Sequence, residues 1–216
     1  MGCGTGTWLS IFQKSGVTDI LGVDGPWVKP DLLFIPQSKF IEQDLTKPIS
    51  NWVIPNESRN LIRRTFELAV SLEVAEHLEA QYADTFIESL IALAPVVLFS
   101  AAIPDQGGTH HVNEQWPGYW VEKFGVHGYV VIDALRRLVW SNERVSFWYA
   151  QNIFFFVKEQ ELPNYPGLQE ARSSTYINQL ALVHPRNSNY NVSLKTLLRR
   201  KLYELIINPT LKLFGK

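Results

Sequence analysis

At 216 residues the chain suits one domain of ordinary size, and with 46% hydrophobic and 19% charged residues it can bury a large core. No run approaches the roughly 18 apolar residues of a membrane span, and no basic segment followed by an apolar one is visible at the start. The single cysteine, Cys3, forbids internal disulfides and fits a reducing, cytoplasmic setting. No Cys/His cluster stands out, so no metal is expected. The net charge of −1 is unevenly spread: Arg186, Lys195, Arg199, Arg200, Lys201, Lys212 and Lys216 face one acid, Glu204, in the last stretch, which leaves 20 acids against 13 bases elsewhere. An acidic body argues against nucleic acid as the main partner, because phosphate binding needs clustered positive charge.

The chain opens on a glycine-rich loop, Gly2-Cys3-Gly4-Thr5-Gly6-Thr7. In nucleotide-binding folds such a loop hangs off the end of a buried parallel strand. Only Met1 precedes it here, so the strand that would hold the loop is expected to be absent from this chain. Trp8 to Phe12 has the apolar content of a short helix, closed by Ser15-Gly16. Ile20-Leu21-Gly22-Val23-Asp24 then reads as a buried parallel strand ending in a carboxylate. Asp24 lies 18 residues past Gly6, the separation at which an acid meets the ribose hydroxyls of a bound nucleotide. A dinucleotide fingerprint would need glycine at position 7, where Thr7 stands. The spacing is instead G-x-G-x-G, the pattern of enzymes that bind S-adenosylmethionine (SAM), which has no pyrophosphate to cradle. A plain glycine-rich turn is the competing reading of so short a motif.

Further along, Phe40 to Leu45 is a short strand carrying Asp44 at its end. Phe66 to Leu78 is a strand running into a turn. Tyr82 to Ala94 is a helix with Phe86, Leu90 and Leu93 on one face, followed by the strand Val96 to Ser100. Pro117 opens another helix, Tyr129 to Asp133 is a strand, and Ala134 to Trp140 a short helix. Phe147 to Val157 reads as one long aromatic strand. Residues 159–192, with their Pro, Asn, Ser and Gly, read as a linker over the surface. The tail 193–216 reads as an amphipathic helix with an apolar stripe through Leu194, Leu197, Leu198, Leu202, Leu205 and Ile206, stopped by Asn208-Pro209. Alternating strands and helices to about residue 100 imply an α/β domain with a parallel sheet.

The glycine loop, SLEVAEHL (residues 71–78) and LAPVVLFSAAIP (residues 93–104) resemble the class I SAM-dependent methyltransferases, in the group of small-molecule enzymes that includes the ubiquinone-biosynthesis type. The resemblance covers about residues 2–158. It implies a Rossmann-like sheet of seven strands ordered 3-2-1-4-5-7-6, the last strand antiparallel, with the central first strand missing from this chain. Such a gap would leave two neighbouring strands with unpaired backbone groups, each costing roughly 1–3 kcal/mol. Residues 1–158 would form the methyltransferase domain.

By that resemblance Gly2, Gly4 and Gly6 lie along the methionine end of SAM, Asp24 grips the ribose, Asp44 and Leu45 meet the adenine, and Leu72 and Glu73 line the cofactor floor. For Asp44 the competing reading is a solvated loop acid. For Glu73 and Glu76 it is a carboxylate at a helix start.

The loop Pro104 to Pro117 leaves the carboxyl end of a strand, where ligands sit in open α/β folds. It offers His110 and His111 as candidate catalytic bases, only one of the adjacent pair facing a site, with Asn113, Glu114 and Trp116 to hold an acceptor. Histidine titrates in the range a hydroxyl acceptor needs. A polar surface loop turned by Gly107-Gly108 is the alternative. The function expected is methyl transfer from SAM to a small-molecule acceptor by in-line displacement at the sulfonium. The alternative is a truncated, inactive or binding-only relative. The tail is expected to pack on its own domain, although Arg199, Arg200 and Lys201 beside the stripe would also suit an anionic membrane surface.

Overall fold

The computed structural model describes residues 1–51 and 66–187. Gly6, in the left-handed conformation at φ 80°, turns the glycine loop into helix α1 (Thr7–Lys14). Strand β1 (Gly22–Asp24) follows and pairs in parallel with β2 (Phe40–Glu42), Val23 opposite Ile41. Next come β3 (Ala69–Leu72), α2 (Ala83–Leu93), β4 (Val96–Ser100), α3 (Pro117–Gly125), β5 (Tyr129–Ile132), α4 (Arg136–Val139), α5 (Phe147–Asn152), β6 (Phe154–Lys158) and α6 (Pro166–Arg172), with short 3-10 turns between. The result is a mixed α/β fold.

The strands form two hydrogen-bonded groups, β1-β2 and β3-β4-β6-β5. β3 and β4 run parallel, while β6 lies antiparallel between β4 and β5. All five residues of β4 are buried, as a central strand covered on both faces requires. Phe86, Ile87 and Leu90 of α2 are completely buried. The Phe124 ring of α3 stacks on Phe156 with centroids 3.9 Å apart, and Phe99 meets Trp120 at 5.1 Å. Val23 and Ile41 belong to the same apolar core as Val97 and Phe99, so the two strand groups share one interior.

Between β1 and β3 there is no ladder among the described residues. Met1 to Cys3 bridge the two strands instead. The Met1 amine donates to the Val70 carbonyl at 2.7 Å, and the amides of Gly2 and Cys3 both donate to the Val23 carbonyl, at 2.8 and 3.2 Å. Alongside lies an apolar cavity of about 290 Å³, lined by Met1, Leu9, Phe12, Leu21, Val70 and Leu93 among others.

Two expectations are corrected. The aromatic run Phe147 to Val157 is not one strand: Phe147–Asn152 is α5, and β6 begins only at Phe154. Its aromatic content suits a strand, but Gln151 and Asn152 are buried and hydrogen-bonded. The helical turn directs these amides into a polar network that a strand buried on both faces would not serve. Residues 159–187, expected as a surface linker, carry α6 and bury Leu162, Leu180, His184 and Asn187. Arg136 fastens this segment by donating to the carbonyls of Leu180 and Gln179, at 2.8 and 3.3 Å. The amphipathic tail 193–216 lies outside the described residues.

Candidate functional site

The glycine loop needs its glycines for three separate reasons. All three sit at positive φ, 68°, 52° and 80° for Gly2, Gly4 and Gly6, where a side chain is strained. A Cβ on Gly2 would lie 2.3 Å from a Val74 methyl, and one on Gly6 would lie 2.8 Å from Ile35. At Gly4 nothing stands within 4 Å, so its backbone is open to a ligand. Asp24, at the end of β1, is buried, and its carboxylate accepts from the amide of Gly4 at 2.6 Å and from that of Gly25 at 2.7 Å. The acid thus clamps the loop in the shape that exposes Gly4, and each of its oxygens retains acceptor capacity. Cys3 within the loop is no nucleophile: burial pushes its thiol up to about 11.

Asp44 and Leu45 part company. Leu45 is buried in the core. Asp44 is exposed and accepts from the amide and hydroxyl of Thr46, at 2.9 and 2.7 Å, which hold its carboxyl below the usual range.

Where β3 ends, the chain turns sharply. Glu73 adopts φ 54°, uncommon for a residue with a side chain, and is held there by its amide donating to the Ser100 carbonyl at 3.0 Å. Its carboxylate accepts from Gln106 at 2.9 Å and Asn152 at 3.2 Å. Asn152 and Gln151 also donate to the Gln106 carbonyl oxygen, at 2.8 and 3.0 Å, and Gln151 in turn accepts from the His184 amide at 2.8 Å. Burial raises the Glu73 carboxyl, while the bonds from Ser100, Gln106 and Asn152 pull it back. Leu72, beside Glu73, is half-buried and borders the cavity between β1 and β3.

A 3-10 turn, Ala75–His77, comes next. Glu76 is completely buried, and neither carboxylate oxygen has a hydrogen-bond partner. The amides of Glu76 and Ala102 face the carboxylate without reaching hydrogen-bonding geometry. Burial, reinforced by repulsion from Glu73, pushes its pKa up to about 8. The Glu76 carbonyl accepts from the amides of Val112 and Asn113, at 2.9 and 3.0 Å, which pins the 104–117 loop over the turn. On that loop His111 is half-buried, with Nδ1 2.8 Å from Glu114 Oε1, and Glu114 also accepts from the Gly107 amide at 3.1 Å. The rings of His77 and His111 meet edge to face with centroids 4.9 Å apart. Burial and the His111 ring hold His77 below the ordinary imidazole range.

Of the other loop residues, His110 is exposed and reaches the cluster only through its carbonyl, 3.3 Å from His77 Nδ1. Asn113 is buried and accepts from Gln115 at 2.9 Å. Trp116 is partly exposed at the start of α3. Sequence reasoning missed Gln106, Gln151 and Asn152, and it missed the meeting of Glu76, His77 and His111. The adjacent pair Glu76-His77 on a turn after a strand was the available signal for the second group.

A glycine loop clamped by the acid of the neighbouring strand, next to a polar cluster at the carboxyl ends of β3 and β4, is matched by sequence. The family model described as a methyltransferase domain matches residues 1–143. The chain belongs to this family, the class I SAM-dependent methyltransferases. Among solved structures, that of the small RNA methyltransferase HEN1 is similar, with a TM-score of 0.51 at 18% identity, covering 74% of this chain and 23% of that one. The methyltransferase domain of the bacterial CtHen1-CN gives a TM-score of 0.47 at 20% identity over 72% of this chain and 87% of that one. Magnesium protoporphyrin IX methyltransferase (ChlM) from Synechocystis PCC 6803, crystallised with SAM, gives 0.46 at 16% identity over 73% of this chain and 67% of that one. At such identities the likeness is one of fold. No curated protein matches this methyltransferase.

Proposed function

We propose that this methyltransferase transfers the methyl group of SAM to a small-molecule acceptor held under the 104–117 loop. The observation that carries the proposal is the junction of two halves of a site. The clamped glycine loop packs at Gly2 directly against Val74, inside the segment that bears Glu73, Glu76 and His77. The open backbone at Gly4 fits a ligand that lies across the loop. In this reading Gly2, Gly4 and Gly6 line the methionine end of SAM, Asp24 takes the ribose hydroxyls on its remaining lone pairs, Asp44 and Leu45 border the adenine, and Leu72 and Glu73 form the floor.

SAM supplies an electrophilic methyl carbon on a sulfonium. The protein's task is to place the acceptor atom in line with it. A new bond forms from the acceptor to the methyl carbon as the carbon–sulfur bond breaks and its electron pair returns to sulfur. With Nδ1 donating to Glu114, His111 presents the lone pair of Nε2 and takes the acceptor's proton. Asn113, Glu114 and Trp116 shape the acceptor side. The excess of acids over bases outside the last stretch supports a small molecule rather than a polyanion. The family match across loop and body favours an active enzyme over a binding-only chain.

Transfer of labelled methyl from SAM to a panel of small hydroxyl and amine compounds, with RNA alongside, tests this. His111→Ala should slow transfer by about 10²–10⁴-fold with SAM affinity unchanged. Labelling of RNA in preference to every small molecule would overturn the acceptor assignment.

A further inference from the structure

The cluster around Glu76 holds acceptors facing acceptors. Glu76 brings a buried carboxylate with no hydrogen-bond partner for either oxygen. Each neighbouring imidazole has its Nδ1 against an oxygen, His77 at the His110 carbonyl (3.3 Å) and His111 at Glu114 (2.8 Å). Those contacts place the proton on Nδ1 and leave Nε2 as a lone pair in both rings. An imidazole oriented by a carbonyl or carboxylate behind it is the arrangement found around metal-bound histidines. One ligand atom from each of Glu76, His77 and His111 lies within 4.8 Å of the other two. The arrangement is held from both sides. The amides of Val112 and Asn113 tie the loop to the Glu76 carbonyl, and Gly108 leaves room for the His111 ring, since a Cβ there would sit 2.2 Å from His111 Nε2. Glu73 stands outside the set because the amides of Gln106 and Asn152 already occupy its carboxylate.

We propose that Glu76, His77 and His111 form a binding site for one divalent transition-metal ion. Two imidazole nitrogens and a carboxylate suit zinc, cobalt, nickel, iron or manganese better than the all-oxygen ions calcium and magnesium. Bonds of about 2.0–2.2 Å require ligand atoms roughly 3–3.5 Å apart, so closure needs side-chain rotations of about an ångström. Three protein ligands leave further positions for water or a substrate oxygen. With an ion present, His111 serves as a ligand and the base role falls to another group. The proposal shares its residues with the acceptor site above, but it does not depend on methyl transfer.

The test is a titration of the chelator-treated, dialysed full chain with cobalt(II), read by visible absorption and calorimetry. One equivalent should bind, giving a ligand-field spectrum that zinc abolishes by competition. Glu76→Gln, close in shape to the native side chain, and His111→Ala should each weaken cobalt binding at least tenfold. The exposed His127→Ala should leave it unchanged. Circular dichroism identifies variants that fold, and only those are scored. Absence of a stoichiometric spectrum in the native chain would overturn the site, as would binding that survives in a folded Glu76→Gln/His111→Ala double variant. Neither result touches SAM binding, which is measured separately.

Discussion

Glu76→Gln should reshape the pH dependence of stability in a way that exposes the buried carboxyl. In the native protein its pKa lies at about 8 against an ordinary 4.5. Between those values the folded state holds a proton that the unfolded state has lost, so stability falls as pH rises, by about 1.4 kcal/mol per pH unit. From pH 5.5 to 8.5 that is on the order of 3.5 kcal/mol, a large part of the roughly 5–15 kcal/mol that holds a domain together. Glutamine is neutral throughout and resembles the protonated carboxyl, so the variant should match the native protein at pH 5.5 and exceed it at pH 8.5. For a chain of this size the difference amounts to roughly 7–14 °C in melting temperature. Glu73, also raised, steepens both curves in the same direction. His77, lowered, costs both proteins stability as pH falls through its ordinary range. The difference between the two curves therefore isolates Glu76. Thermal melts followed by circular dichroism, with chelator present, at half-unit steps of pH supply the measurement. Parallel curves for native protein and variant would refute the account of Glu76.

Three further outcomes are expected. Gly2→Ala and Gly4→Ala should separate: the first forces a Cβ into Val74 and lowers the melting temperature, whereas the second meets open space, folds at a cost of about 1–2 kcal/mol for the left-handed backbone, and loses SAM affinity. Equal effects of both on SAM binding and melting would contradict the loop geometry. Gly108→Ala should displace His111, cutting methyl transfer while leaving calorimetric SAM affinity intact; full turnover would show that the ring is not held there. Phe124→Ala removes a completely buried ring stacked on Phe156 and should cost about 3–5 kcal/mol in urea unfolding, with a loss below about 1 kcal/mol arguing against that packing.

The parts of this fold that were legible are those whose cause is local. Gly4 and Gly6 announce a left-handed loop, Asp24 follows at the end of an apolar run, and Pro117 opens a helix at the position where its lost N–H costs nothing. What stayed hidden depends on distant contacts. Gln151 and Asn152 sit in an aromatic stretch whose composition favours a strand, and only their bonds to Gln106 and Glu73, 45 or more residues away, explain the helical turn. Residues 159–187 look like a linker by composition, but Arg136 and the core around Leu162 and Leu180 recruit them. Glu76 and His111 are separated by a helix and a strand, and their approach is set by two backbone hydrogen bonds that no motif records.

The central claim is that a glycine loop clamped by Asp24 binds SAM for transfer. Calorimetric titration of the full chain with SAM, beside Asp24→Ala, tests it most directly. The variant strips the acceptors from the amides of Gly4 and Gly25 and the anchor from the ribose. Loss of a charge-assisted contact of about 1.5–3 kcal/mol predicts one-site binding in the native chain that weakens roughly ten- to hundredfold. A folded native chain that does not bind SAM, or a folded variant that binds it equally well, would contradict the account.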